Sequence, residues 1–132
     1  MTDLEIIHAY RHLLRAGLRA IQFSKPARFA LRNQLRTGFR EKGAQLDPDC
    51  VRRTVSFLQA AEAERGLEHR IVKNLLHVAW ARERETRKSW KAQLVLRSAK
   101  KANMPDPIKS TAYKHYDMTV SMLNHTMGLC LR

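Results

Sequence analysis

"HAYRHLLRAGLRA", residues 8–20, places Arg11, Arg15 and Arg19 at steps of four. Residues four apart share one face of an α-helix, so the stretch predicts a helix with a cationic stripe. Leu4, Ile7, Leu14, Leu18 and Ile21 supply an apolar face, with Tyr10 and Leu13 on its border. That is the pattern of a helix packed on one side. The rhythm returns in "RFALRNQLRTGFREK", residues 28–42, where Arg28, Arg32, Arg36 and Arg40 run beside Leu31, Leu35 and Phe39. Like charges at this spacing repel by roughly a few tenths of a kcal/mol per pair. Seven arginines so placed point to an acidic partner, because the planar guanidinium grips carboxylate or phosphate at two points.

Between the two stripes "SKPAR" breaks the periodicity; Ser24 is a candidate cap and Pro26 suits a first helical turn. The second helix is expected to stop near "EKGAQ", with Gly43 taking a left-handed conformation. "DPD" restarts the chain, with Asp47 as N-cap, Pro48 at the first helical position and Asp49 in the first turn. Val51, Val55, Leu58, Ala61, Ile71, Val72, Leu75 and Leu76 then predict one long third helix, bent at Gly66. "ARERETRKSWKAQ" is helix-forming but mostly polar, as expected of a segment in solvent or on a partner. Pro105 and Pro107 mark a linker over 99–109. A last helix is expected over 110–130, where Tyr113, Tyr116, Val120, Leu123, Met127 and Cys130 form a seam spaced three and four apart. The expected fold is all-α: a three-helix bundle over 1–80 and a basic helical extension over 81–132.

The net charge of +13 within 132 residues calls for nucleic acid, an acidic protein or an anionic membrane surface as partner. Residues 1–46 carry a net +6, residues 47–80 are balanced, and residues 81–132 carry +7. No apolar run reaches membrane-spanning length. The start "MTDLEII" lacks the basic and apolar blocks of a secretory signal, while the Arg-rich first helix has the character of an uncleaved mitochondrial address. Cys50 and Cys130 are the only cysteines and read as free thiols of a reducing compartment.

Catalytic patterns are missing from the sequence. It holds no Ser/His/Asp set, no phosphate-cradling Gly-rich loop and no Cys/His cluster of zinc spacing. His8 and His12 have metal-ligand spacing, but no third ligand joins them and no metal site is expected. The reading is a non-enzymatic binding protein. Trp80 and Trp90 lie among basic residues, where aromatic rings can stack on RNA bases or simply pack.

"AYRHLLRAG", followed about twenty residues on by "RNQLRTGFREK", resembles the LYR-motif proteins of mitochondria. Their pattern is Leu-Tyr-Arg early in the first helix, an arginine-rich second helix, and a Phe-Arg pair near its end. Tyr10 and Arg11 match the tripeptide, with Ala9 where leucine is usual; Phe39 and Arg40 match the later pair. The "DP" restart and a long third helix also fit, and the likeness covers residues 4–80. The resemblance implies a three-helix bundle in the mitochondrial matrix that binds the mitochondrial acyl carrier protein. The carrier's 4'-phosphopantetheine-linked acyl chain would enter the bundle core and its acidic helix would meet the arginines; no cofactor of the protein's own is implied. Tyr10, Arg11, Phe39 and Arg40 carry over from the motif. Arg15, Arg36 and Lys42 join them by helix spacing. Leu14, Leu18, Leu35 and Phe39 are candidates for the acyl tunnel and equally for ordinary core.

Members of this family serve different clients, including iron–sulfur cluster synthesis, respiratory complexes and the assembling large mitochondrial ribosomal subunit. The second basic block favours an RNA-rich client, with Arg84, Arg87, Lys88, Trp90, Lys91, Lys100 and Lys101 as its contacts. The expected role is an adaptor associated with the large mitochondrial ribosomal subunit. The alternatives are an accessory subunit or assembly factor of a respiratory complex, and a small helical RNA-binding protein without carrier binding.

Overall fold

The computed structural model describes residues 2–87, 90–92, 94, 95, 98 and 107–132. The described residues are helical or in turns and coil, so the all-α expectation holds. Four helices build the bundle: α1 (Asp3–Ala20), α2 (Ala27–Arg40), α3 (Pro48–Ala63) and α4 (Leu67–Thr86). A fifth, α5, spans Pro107–Met127. Helix α1 packs on α2 and α3, and α4 packs on the same two helices from the other side.

The single long third helix is therefore two helices. The chain leaves α3 at Glu64 in an extended conformation and re-enters helix after Gly66. Splitting it lets the apolar row Val51, Phe57, Leu58 and Ala61 of α3 face Val72, Leu75, Leu76 and Ala79 of α4, all of them buried. One straight helix would leave half of that surface in water, at a cost of roughly 25 cal/mol per Å². Helix α4 also runs through residue 80, so the polar segment begins as a continuation of the bundle.

The buried face of α1 is rotated from the expected one. Ala9, Leu13, Ala16, Gly17 and Ala20 are buried, whereas Leu4 and Ile7 are 67% and 44% exposed. Close approach selects the small residues: a Cβ added at Gly17 would lie 2.7 Å from a Leu31 methyl. The α1–α2 turn is built by Gln22 and Phe23, both at φ 55, and Ser24 does not cap α2, whose N-cap is Pro26. Gly43 does take a left-handed φ of +84, three residues beyond the end of α2.

The restart at α3 follows the sequence closely. Asp47 accepts a hydrogen bond from the Asp49 N–H at 2.9 Å, with Pro48 in the first turn. It also accepts from the Cys50 thiol at 3.1 Å. The Cys50 thiol and then the Asp49 N–H hold the Asp47 carboxyl below its ordinary value near 3.8. A carboxylate with a depressed folded-state pKa stabilises the fold above its unfolded pKa and loses that contribution as pH falls through the folded value. Asp47→Asn is thus expected to flatten the decline in melting temperature as the pH falls below about 4, measured by circular dichroism. An unchanged profile would contradict the cap's role.

Helix α5 starts at Pro107, earlier than residue 110, and ends at Met127, before Cys130. Proline's fixed φ suits a first helical position. Gly128, at φ +64, closes the helix with the Leu129 N–H donating to the Asn124 carbonyl at 3.1 Å. The expected seam is only partly covered: Tyr116, Val120 and Leu123 are half-buried, while Tyr113 and Met127 stay exposed. The helix is held to α4 by Arg82. Its guanidinium donates to the Asp117 carboxylate at 2.7 Å and lies 4.5 Å from the Tyr113 ring centroid and 5.7 Å from that of Tyr116.

Beyond α5 the chain turns back into the bundle, and Leu129 is buried in the main core. Buried Thr54 anchors this tail: the Cys130 N–H donates to its Oγ1 at 3.0 Å, and its Oγ1 lies 2.8 Å from the Cys50 carbonyl and 3.1 Å from the Cys130 Sγ. The Asn124 side chain accepts from the Leu131 N–H and donates to the Leu131 carbonyl. Thr54→Val keeps the volume and strands the Cys130 N–H. A loss of about 1–3 kcal/mol in unfolding free energy is expected, measured by urea denaturation. No loss would contradict the anchoring role.

Candidate functional site

The two stretches that resemble the LYR pattern meet in space. Tyr10 on α1 and Phe39 on α2 are edge to face, with ring centroids 5.4 Å apart and planes at 89°. Such pairs contribute about 0.5–1.5 kcal/mol beyond burial, and both rings are half-buried. Arg11 and Arg40, their neighbours in sequence, are exposed, as are Arg15, Arg36 and Lys42. Among the described residues none of these five cations has an ion-pair partner. The two stripes therefore bring unpaired guanidinium groups to the surface on adjacent helices.

A cavity of about 590 Å³ lies beside this contact. Leu13, Leu31, Leu35, Phe39, Leu58 and Leu76 are among its apolar walls. Ala44 and Gln45 of the α2–α3 connection and Cys130, Leu131 and Arg132 of the tail also line it. The Arg132 guanidinium bonds the Glu41 carboxylate, so the tail is tied to the α2–α3 connection across the cavity's edge. Of the four tunnel candidates, Leu35 and Phe39 line this space. Leu14 and Leu18 do not; they are half-buried on α1, because the rotation of that helix turns Leu13 inward in their place.

The client candidates lie elsewhere. Arg84 places its guanidinium 4.7 Å over the half-buried Trp80 ring. Arg87, Trp90 and Lys91 are exposed, Trp90 at 67%. Lys88, Lys100 and Lys101 lie outside the described residues. The described part of the segment presents Leu94 and Val95 to solvent as well.

Thr54, Asn124 and Arg82 are structural residues that sequence pattern does not single out. The sequence signal for the first two is the helix stop at Gly128 followed by Leu129 and Leu131, an apolar pair past a helix end. The described helices include none long and apolar enough to cross a membrane.

Over 79 residues the chain is 39% identical to a UPF0593 mitochondrial protein of the fission yeast Schizosaccharomyces pombe. The match takes in 58% of this chain and 63% of the yeast protein, so the chain spans somewhat less than two thirds of that relative's length. No protein-family model matches the chain. No solved structure matches it either.

Proposed function

We propose that the protein is a mitochondrial adaptor of the LYR type, which holds acyl carrier protein on the arginine face of α1 and α2. The observation that carries this reading is the Tyr10–Phe39 contact. It joins two aromatic residues 29 positions apart in sequence, one of which, Phe39, lines the apolar cavity, while their sequence neighbours Arg11 and Arg40 are exposed and without an ion pair among the described residues. Three requirements of a carrier meet there. Acidic helix residues would find bidentate donors. An acyl chain would find apolar walls of Leu13, Leu31, Leu35 and Phe39. The 4'-phosphopantetheine thioester linking the two would arrive with the carrier. The mitochondrial name of the yeast relative supports a mitochondrial site of action, and an acyl carrier partner points to the matrix.

The tail bears on this role. Leu131 and Arg132 line the same cavity, so an acyl chain entering there would have the tail as one wall. The basic region from residue 81 onward is the client surface in this reading, with the large mitochondrial ribosomal subunit as client. Its support is charge and exposed aromatic character: Arg87, Trp90 and Lys91 are exposed, and the region carries a net +7. The chain's own groups do no covalent chemistry. Their work is to fix the carrier by charge and enclose its acyl chain.

Affinity purification of the tagged protein from mitochondria tests this directly. Acyl carrier protein at equal stoichiometry, together with large-subunit ribosomal proteins, is the expected result. Recovery of RNA without carrier would replace the adaptor reading by a plain RNA-binding one. Recovery of carrier with a respiratory complex would keep the carrier face and change the client.

A further inference from the structure

A second cavity, of about 740 Å³, lies where the end of α1, the α1–α2 turn, the α3–α4 connection and α4 converge. It differs from the first in charge. Lys25, Arg65, Arg70 and Lys73 line it together with His69 and His77, and no aspartate or glutamate does. Among the described residues none of the four Lys/Arg groups forms an ion pair. Its floor is apolar: Ile21, Val72 and Leu76 are buried and Trp80 is half-buried. Residues 47–80 are neutral overall. Yet the fold gathers Arg65, Arg70 and Lys73 of that neutral region at this one place, with Lys25 brought over from the turn.

We propose that this cavity binds a small phosphorylated ligand, its phosphate groups on Lys25, Arg65, Arg70 and Lys73 and its apolar body against Val72, Leu76 and Trp80. Four unpaired cations around one concavity repel one another, and a multiply charged oxyanion removes that repulsion while gaining charge-assisted hydrogen bonds. The shape favours a compact ligand over a nucleic-acid strand. A strand's phosphates demand an open track of charges, whereas these cations line one hollow with an apolar floor, as small-ligand sites do. The α1 and α2 arginine stripes are separate from it, since none of Arg11, Arg15, Arg36 and Arg40 lines it. The proposal is thus independent of the carrier reading.

Isothermal titration of the full chain at physiological ionic strength, with three probes, tests it. Pyrophosphate supplies the charged head alone, ADP the head with a planar ring, and dodecyl phosphate, below its micellar concentration, the head with an alkyl tail. Saturable one-to-one binding is expected, with ADP or dodecyl phosphate tighter than pyrophosphate because the floor is apolar; the tighter of the two identifies the source of the phosphate. Arg70→Gln with Lys73→Gln is expected to weaken all three by about tenfold or more. Arg52→Gln with Lys114→Gln removes two charges from exposed positions outside the cavity and is expected to change affinity by less than about twofold. Equal weakening by both pairs would show a diffuse charge effect and overturn the proposal. So would the absence of saturable binding, or a ten-nucleotide RNA that binds through Arg70 and Lys73 more tightly than every probe.

Discussion

The double reversal Arg11→Glu with Arg40→Glu is expected to abolish acyl carrier protein binding while leaving the bundle folded. Each arginine is exposed and without an ion-pair partner among the described residues, so its removal breaks no described salt bridge. Reversal does more than remove a donor, because it sets a carboxylate against the acidic helix of the carrier. With about 2 kcal/mol or more lost at each position, affinity falls on the order of a thousandfold. The check is a pull-down with purified carrier, alongside a thermal melt of the variant. A melt near that of the wild type with full carrier stoichiometry would remove the α1–α2 face from the binding site. The Tyr10–Phe39 contact predicts a companion effect: Phe39→Ala removes both the edge-to-face partner and a wall of the apolar cavity.

Charge neutralisation of the later region is the second large effect. Changing Arg84, Arg87, Lys88, Lys91, Lys100 and Lys101 together to glutamine is expected to release the protein from the large ribosomal subunit in mitochondrial lysate. Phosphate contacts act through counterion release, and losing several of them lowers affinity by about a thousandfold or more near physiological salt. Arg84 also covers the Trp80 ring, so part of its effect is packing; a variant that retains Arg84 and changes the other five separates the two. Carrier binding should persist in both variants, because Tyr10, Arg11, Phe39 and Arg40 of the proposed carrier face lie on α1 and α2. Co-sedimentation of the six-fold variant at the wild-type level would contradict an electrostatic client surface.

The parts of this fold that were legible in the sequence are those set by local chemistry. Asp47-Pro48-Asp49 specifies a helix start within three residues, and the start is where those residues put it. The arginine rhythm needs only helical geometry and exposure, and both stripes lie on helices with most of their guanidinium-bearing residues exposed. What sequence pattern missed depends on partners. The break at residues 64–66 carries one glycine and otherwise ordinary helix formers, so only the pairing of α3 with α4 reveals it. The inward face of α1 is hidden from pattern because its large apolar side chains dominate the periodicity while small residues make the contact. Ala9, Ala16, Gly17 and Ala20 are weakly hydrophobic, yet their size lets α1 sit close to its neighbours. That same rotation exchanged Leu13 for Leu14 and Leu18 at the cavity wall. Thr54 reads as a polar residue in a helix, and its role as anchor for Cys130 depends on a contact 76 positions away. The basic cavity at the α1–α2 turn is of the same kind, assembled from Lys25 and from residues forty or more positions later.

Whether the arginine face holds a loaded acyl carrier is tested by intact mass spectrometry of the complex purified from mitochondria. One copy of acyl carrier protein per chain is expected, its mass increased by 4'-phosphopantetheine and an attached acyl group. This species is expected to disappear when Arg11 and Arg40 are reversed. A wild-type preparation that carries RNA and no acyl carrier protein would contradict it.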